Sequence, residues 1–332
     1  MKEIQSVLVT GGAGYVGSAL VPRLLDEGYR VRVIDLYMYG DDVFPTCADH
    51  PKLEQVRGDI RDGALIDKCM EGMDAVIHLA CISNDPSYDL DPDLGKSINF
   101  DAFRPMVASA KAHGVKRFVY ASSSSVYGIK DDPEVTEDLV LEPLTDYSKF
   151  KAQCEQILLE YEGPTFTTTT IRPATVAGYA PRQRLDVIIN IFCNLAVNKG
   201  EISIFGGAQK RPNIHIDDMA RSYLMVLAAP KEKVAAKIWN VGYENHTVAQ
   251  LAEMVRDVVG PQVKLTVTPT NDNRSYHVSS KKIKDDLGFE PAHTLRDAAV
   301  GLVDALKAGK LPDSLTDPKY FNIKMMQKIN LK

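Results

Sequence analysis

Short, mostly apolar segments alternate with amphipathic stretches through the first half of the chain, and this alternation constrains the fold most. The short segments predict buried strands at residues 4–9, 31–34, 53–57, 75–79, 117–121 and 167–171. The amphipathic stretches predict helices at residues 14–27, 64–70, 93–113 and 146–161. Buried strands that are separated by helices indicate a parallel sheet covered on both faces. The predicted fold class is therefore α/β, with a doubly wound parallel sheet.

The regular alternation loosens after Pro173. The remaining sequence predicts helices at 185–198, 217–227, 248–258, 280–287 and 295–306, and strands near 202 and at 213–216, 238–241 and 263–267. Asp217 and Asp218 are predicted to cap the second of these helices. We expect one domain over residues 1–172 and a smaller lobe over 173–332, with residues 211–245 returning to the first domain. The sequence says little about the polar tail after Leu311.

Composition excludes several classes of protein. The 332 residues are 45% hydrophobic and 25% charged, which is typical of a globular chain. The net charge of −5 argues against nucleic acid as a partner. Five widely spaced cysteines without a CxxC pair indicate neither a disulfide framework nor a zinc site. No signal peptide or membrane span is predicted, so we expect a cytoplasmic protein with no membrane partner.

A glycine-rich turn connects the first predicted strand to the first predicted helix. Gly11, Gly14 and Gly17 have the spacing G-x-x-G-x-x-G. Such a turn lets the backbone approach a diphosphate, and the free N–H groups of the helix that follows favour the anion. The sequence therefore predicts a dinucleotide site that includes Tyr15 and Val16.

Acidic residues follow the next two strands. Asp35 ends the second strand 18 residues after Gly17, where its carboxylate can accept hydrogen bonds from the adenosine ribose. An acid at this position repels a 2′-phosphate, which favours NAD over NADP. Leu36 follows it directly, and Asp59 and Ile60 are predicted to reach the adenine amino group and ring face.

A second group of polar residues suggests proton transfer. Tyr147 and Lys151 form a Y-x-x-x-K pair, and a spacing of four places both on one helix face. The lysine charge is expected to lower the pKa of the phenol, which would make Tyr147 a base for a hydroxyl proton. The serines at 122–125 follow the fifth strand, at the edge where α/β proteins bind ligands.

These motifs resemble the extended short-chain dehydrogenase/reductase family of nucleotide-sugar epimerases and dehydratases. The resemblance spans nearly the whole chain and includes the sequences TGGAGYVG at 10–17, GDIRD at 58–62, HLA at 78–80, ASSSSVYG at 121–128, YSKFK at 147–151 and IHIDD at 214–218. It implies a Rossmann-type sheet with a smaller α+β substrate lobe, NAD as cofactor, a nucleotide-diphosphate sugar as substrate, and a homodimer.

The resemblance also implies roles for individual residues. Tyr147 would be the base, Lys151 its electrostatic partner and ribose ligand, and Ser123 the hydroxyl that bonds the sugar oxygen. Leu79, Ala80 and Asn99 would lie along the cofactor. The residues implied at the substrate are Ser124, Ser125, Thr175, Arg182, Arg184, Arg211 and Arg274, with Arg211 and Arg274 at the diphosphate.

Departures from the family pattern bear on the reaction. Sugar 4,6-dehydratases carry an Asp-Glu pair directly after the catalytic hydroxyl, but this chain has Ser124 and Ser125 there. Elimination would lack its usual acid, which favours 4-epimerisation through a transient 4-keto sugar. A C4 dehydrogenase or 4-keto reductase remains an alternative, a dehydratase is less favoured, and a non-catalytic NAD-binding regulator lies outside the class.

The identity of the sugar stays open. Thr175, followed by the sequence PRQRLD at 181–186, is similar to uronate 4-epimerases, in which an arginine could hold a carboxylate. The same loop, together with the sequence ISNDP at 82–86, is also similar to members that act on nucleotide-linked heptoses and deoxysugars. His78 and Cys81 are interpreted as structural, and no metal site is expected at His215, Asp217 and Asp218.

Overall fold

A computed structural model describes residues 3–130, 132, 134–270, 275 and 277–332. The strands are β1 Ser6–Thr10, β2 Arg30–Asp35, β3 Leu53–Arg57, β4 Ala75–His78, β5 Arg117–Ala121, β6 Thr167–Pro173, β7 Thr175–Ala177, β8 Glu201–Phe205, β9 Lys210–His215, β10 Lys237–Val241, β11 Glu244–Thr247 and β12 Lys264–Thr268.

The α-helices are α1 Tyr15–Asp26, α2 Gly63–Met70, α3 Asp85–Tyr88, α4 Pro92–Lys96, α5 Phe103–Ala112, α6 Asp146–Glu160, α7 Ile188–Lys199, α8 Ile216–Ala228, α9 Lys231–Val234, α10 Val248–Val259, α11 Lys281–Leu287, α12 Leu295–Lys307 and α13 Asn322–Ile329. A π-helical turn, Ser97–Asp101, and two 3₁₀ turns, Ser124–Tyr127 and Pro318–Tyr320, complete the regular structure of the described residues.

Seven strands form one parallel sheet in the order β10-β6-β5-β4-β1-β2-β3. This confirms the predicted α/β fold. Successive side chains of a strand point to opposite faces, so Val7 and Val9 enter one fully buried cluster with α1 and α8 while Leu8 enters another with α2, α5 and α6. The strand order reverses at β1, which opens a crevice beyond the carboxyl ends of β1 and β4.

A smaller lobe follows the main sheet. Here α7, α10 and α12 pack together around a third buried cluster, beside a three-stranded sheet β11-β9-β7 and the pair β12-β8. β10 lies in the main sheet beside β6, although it follows much of this lobe in sequence. The exact division into 1–172 and 173–332 stays a prediction.

Several sequence-based elements differ from the structure. β3 is an edge strand whose side chains are exposed or half-buried, because it has a neighbour on one side only. The predicted helix at 93–113 is interrupted by the π-helical turn, and α7 begins at Ile188 rather than at 185. β11 was not predicted, since its sequence is polar and it is defined by antiparallel pairing with β9.

The predicted capping role of Asp217 and Asp218 is wrong. His215 is the N-cap of α8, and its ring accepts the backbone N–H of Asp217. Asp218 is fully buried and accepts the backbone N–H groups of Ala292 and His293, so it joins α8 to the loop before α12.

Candidate active site

The glycine-rich turn leaves space that side chains would fill. A Cβ on Gly11, which has a φ of +71°, would lie 2.6 Å from the backbone N and Cα of Ala80. A Cβ on Gly17 would lie 2.3 Å from the carbonyl oxygen of Gly12. The N-terminus of α1 has no side-chain cap and no acidic residue in its first turn. Its N–H groups are therefore suited to an anion, and this cradle fits a dinucleotide diphosphate.

Asp35 closes the next side of the cradle. Its carboxylate accepts the backbone N–H groups of Ala13 and Tyr37 at 3.0 and 2.9 Å. Burial raises the pKa of Asp35, whereas these hydrogen bonds and the charge of Arg182 lower it. The fixed acceptor stands where an adenosine ribose is expected.

The predicted adenine contacts have a different local arrangement. Both carboxylate oxygens of Asp59 accept hydrogen bonds from the guanidinium of Arg61. Arg61 also donates to the carbonyl oxygen of Lys332. Ile60 is buried and lines the cavity that the glycine-rich turn also lines. A contact of Asp59 with adenine stays a prediction.

One cavity of about 670 Å³ extends from the glycine-rich turn to the predicted proton-transfer residues Ser123, Tyr147 and Lys151. The predicted site residues that line it are Gly11, Gly14, Tyr15, Val16, Gly17, Asp35, Leu36, Asp59, Ile60, Leu79, Ala80, Ser123, Ser124, Ser125, Tyr147, Lys151, Thr175, Arg182, Arg184 and Arg211. Asn99 is not brought into its wall. The amide of Asn99 instead exchanges two hydrogen bonds with the backbone of Ile82 behind it. Arg274 lies outside the described residues.

The start of α6 fixes the predicted base. Thr145 and Ser148 form a capping box, so the helix begins directly before Tyr147 and places Lys151 one turn further on the same face. Lys151 is buried, and its Nζ donates to the carbonyl oxygen of Ala121 at 2.7 Å. That contact holds the helix against the end of β5, which is followed directly by the serine loop, residues 122–125.

The electrostatics of Tyr147 differ from the sequence-based expectation. Burial raises the pKa of Tyr147, and the nearby Cys81 and Asp85 raise it further. The charge of Arg184 and a hydrogen bond with Ser123 lower it. Lys151 lies 5.9 Å from the centre of the phenol ring, with its ammonium group bonded to Ala121. Burial is the largest of these effects, so the pKa of Tyr147 lies above its ordinary value.

A buried ion pair between Arg172 and Glu155 contacts the start of the serine loop. Arg172 donates to Glu155 through Nε at 3.0 Å and Nη2 at 2.7 Å. The hydroxyl of Ser122 donates to the same carboxylate. Ser123 follows, and its Oγ lies 2.8 Å from Oγ of Ser125 and accepts the N–H of Ser125. The ion pair thus fixes the backbone next to the predicted catalytic hydroxyl of Ser123.

The loop after β7 brings two arginines into the wall, of which Arg182 is buried and Arg184 is half-buried. Arg184 donates through Nε to Asp186 at 2.6 Å, while its buried Nη2 has no hydrogen-bond partner in the part of the chain that the structure describes. Arg182 lies instead on the cofactor side: its guanidinium carbon is 3.4 Å from the centre of the Tyr39 ring. The implied substrate role fits the position of Arg184 better than that of Arg182.

Sequence reasoning missed several residues of the wall. Tyr39 and Asp85 follow β2 and β4 at the carboxyl edge of the sheet, so that edge position could have indicated them. Asn322 and Met326 come from the tail, and no local signal connects them to the site.

No helix within the described residues has the length and apolar composition that crossing a membrane requires. In the same residues, no group of three or more His, Cys, Asp or Glu side chains could hold a metal ion.

Comparison with known proteins is consistent with this geometry. A UDP-glucose 4-epimerase of Corynebacterium glutamicum is 29% identical over 87% of this chain and 91% of its own. A dTDP-glucose 4,6-dehydratase of Streptomyces griseus is 29% identical over 90% of this chain and 92% of its own. The NAD-bound structure of DesIV, a dTDP-glucose 4,6-dehydratase of Streptomyces venezuelae, has a TM-score of 0.83 and 26% identity, and the alignment covers 95% of this chain and 99% of DesIV. The model of the NAD dependent epimerase/dehydratase family matches residues 7–242, and the chain therefore belongs to that family, whose cofactor is NAD.

Proposed function

We propose that this protein is a nucleotide-sugar 4-epimerase that works through a transient 4-keto sugar. The observation that carries the proposal is the arrangement of Ser123, Tyr147 and Lys151 in one cavity wall, with Ser124 and Ser125 where dehydratases have carboxylates. This set provides a base and a hydroxyl ligand for C4, but no acid directly beside Ser123 for elimination.

Each of these residues has a distinct task. Tyr147 takes the C4 hydroxyl proton and later returns it, while Ser123 hydrogen-bonds the C4 oxygen and keeps it near the phenol. Bound NAD supplies the acceptor and donor of the C4 hydride and, when oxidised, a positive charge beside the phenol. Lys151 and Arg184 add positive charge to the same wall, which favours the phenolate. The 4-keto sugar must turn about its bond to the diphosphate before reduction on its other face.

Anchoring at the diphosphate makes that turn possible. Arg211 lines the cavity from β9 and is the described candidate for this contact. Its forked donors suit a diphosphate, whereas the sugar itself must be held loosely enough to rotate. We also propose that the protein is a homodimer, as the family resemblance implies.

The experiment is a substrate panel with product analysis. UDP-glucose, UDP-N-acetylglucosamine, UDP-glucuronate and dTDP-glucose are each incubated with the NAD-loaded protein, and the sugars are identified by NMR. The proposal expects a C4 epimer, no net NADH, and loss of at least about 10²-fold in turnover for Tyr147→Phe. Tyr243→Phe is the matched control, since Tyr243 is exposed and outside the cavity wall.

Two other products would contradict the epimerase assignment. Stoichiometric NADH with a stable ketone would identify a C4 dehydrogenase. A 4-keto-6-deoxy sugar would identify a dehydratase. Asp85, which lines the cavity and raises the pKa of Tyr147, would then be the candidate for the acid.

A further inference from the structure

We propose that the C-terminal segment, residues 318–332, is part of the cofactor site, and that Asn322 is a positioning residue that fixes the buried cation of Arg182 for bound NAD. The inference uses the NAD dependence of the family. It does not require that the reaction be an epimerisation.

Asn322 is buried and makes hydrogen bonds to three loops. Its Oδ1 accepts hydrogen bonds from the Tyr39 hydroxyl at 2.9 Å and from Arg182 Nη2 at 2.8 Å. Its Nδ2 donates to Oγ of Ser83 at 2.9 Å, and its backbone N–H donates to Asp186 at 2.7 Å. Each partner belongs to a loop that lines the cavity. Asn322 thus links the loop after β2, which carries Tyr39, to the loop after β7, which carries Arg182.

Arg182 is the charged group in this arrangement. It is 4% exposed and lies against the Tyr39 ring, and its buried Nε has no hydrogen-bond acceptor among the described residues. Its backbone N–H bonds the hydroxyl of Ser18 in α1, the helix of the cradle. The carboxylate of Asp186 is engaged by Arg184, and that of Asp35 by two backbone N–H groups. A buried cation with an unpaired donor is costly, and an anionic ligand in the cavity would compensate it.

Apolar residues of the segment cover the adenosine end of the cradle. Met326 is 4% exposed and belongs to the buried cluster that contains Ile34 and Ile60. Leu331 packs against the same cluster, and both Met326 and Leu331 line the cavity. Arg61 holds the end of the chain through the carbonyl oxygen of Lys332 at 2.6 Å.

This arrangement has a consequence for cofactor exchange. NAD entering or leaving past the adenosine end must displace the segment, which breaks the contacts of Asn322. An enzyme that returns its hydride to the substrate needs no exchange, so such a cover favours a cofactor that stays bound through many turnovers.

The test measures NAD binding directly. Asn322→Ala removes the acceptor of Arg182, and we expect it to weaken NAD binding by about 10- to 100-fold and to speed dissociation. The readouts are the NAD retained after gel filtration, released by acid, and the Kd from equilibrium dialysis. Gln262→Ala, at an exposed residue outside the cavity wall and outside this segment, is the control and should bind NAD like the wild type.

A double-mutant comparison separates positioning from general support. If Asn322 acts through Arg182, Asn322→Ala should change NAD affinity by less than about twofold when Arg182→Met is already present. Tyr39→Phe, which loses one bond to Asn322 but keeps the ring against Arg182, is the milder variant should Asn322→Ala fail to fold. It should weaken binding by about 3- to 10-fold.

Wild-type NAD affinity in both Asn322→Ala and Tyr39→Phe would overturn the inference, as would an equal effect of Asn322→Ala with and without Arg182→Met. These outcomes are independent of the proposed function. If the variants bind NAD more weakly but the protein has no epimerase activity, this inference stands and the proposed function is refuted. If the protein is an epimerase but the variants bind NAD like the wild type, the proposed function stands and this inference is refuted.

Discussion

Replacement of Glu155 by Gln should destabilise the protein strongly and disturb the serine loop. The Glu155 side chain is fully buried and that of Arg172 is 3% exposed. Two guanidinium N–H groups and the Ser122 hydroxyl converge on the Glu155 carboxylate. The substitution removes the negative charge at nearly constant volume, so it leaves the Arg172 cation buried without its counter-charge.

The magnitude follows from the contacts that remain. Loss of one partner of a buried ion pair costs about 3–5 kcal/mol. Arg172 keeps a hydrogen bond from Nη1 to the hydroxyl of Tyr127, and the amide oxygen of Gln could still accept one bond. We therefore expect the lower end, about 3 kcal/mol. For a chain of this length, that corresponds to a decrease in Tm of about 4 °C.

Urea unfolding monitored by circular dichroism measures the change. The Glu155→Leu/Arg172→Met double variant should be more stable than Glu155→Gln, because it leaves no buried unpaired charge. Glu160→Gln is the control: Glu160 pairs with Arg104 on the surface, and both side chains are about half exposed, so no measurable change is expected. A loss below about 1 kcal/mol for Glu155→Gln would refute the reasoning, as would a double variant less stable than the single one.

Three further predictions concern the cofactor, the base and stability. Gly11→Ala should abolish NAD binding in dialysis because its Cβ would overlap the backbone of Ala80, whereas Gly63→Ala, in open space, should bind normally. Arg184→Gln should move the acidic limb of the kcat/KM profile to higher pH, since Arg184 lowers the pKa of Tyr147; an unchanged profile would contradict this. Burial lowers the pKa of His78 to about 3. As the pH falls below about 6.5, His78 therefore becomes protonated in the unfolded chain but stays neutral in the folded protein. Stability should fall by about 2 kcal/mol between pH 6.5 and 5, and this part of the slope should vanish in His78→Asn.

The parts of the fold that the sequence predicted have local signals. Val7, Leu8 and Val9 form an apolar run before a glycine turn, and such a run predicts β1 without knowledge of its neighbours. The cradle and the Tyr147–Lys151 pair are likewise contained within single strand–helix units. The predicted gathering of these units at one edge of the sheet follows from parallel topology.

What the sequence did not predict depends on contacts between distant parts of the chain. Asn322 bonds Ser83 across 239 residues, and the tail has no periodicity that points to a cofactor cleft. Asn99 lies in the π-helical turn, and its amide bonds the backbone of Ile82 in the loop after β4, 17 residues earlier. Asp218 was interpreted as a cap because acids are common there, but its partners Ala292 and His293 lie 74 and 75 residues away.

The site also shows why a tyrosine-lysine pair alone does not determine a base. Burial and the nearby Asp85 carboxylate raise the pKa of Tyr147, while the charge of Arg184 and a hydrogen bond with Ser123 lower it. Lys151, the expected cation, is held by the Ala121 carbonyl and fixes α6 to the serine loop. With burial dominant, the phenol needs a further positive charge to ionise near neutral pH, and an oxidised nicotinamide beside it would provide one. Proton abstraction would then require bound NAD, so a segment that retains NAD, as proposed above, would also keep the base active from one turnover to the next.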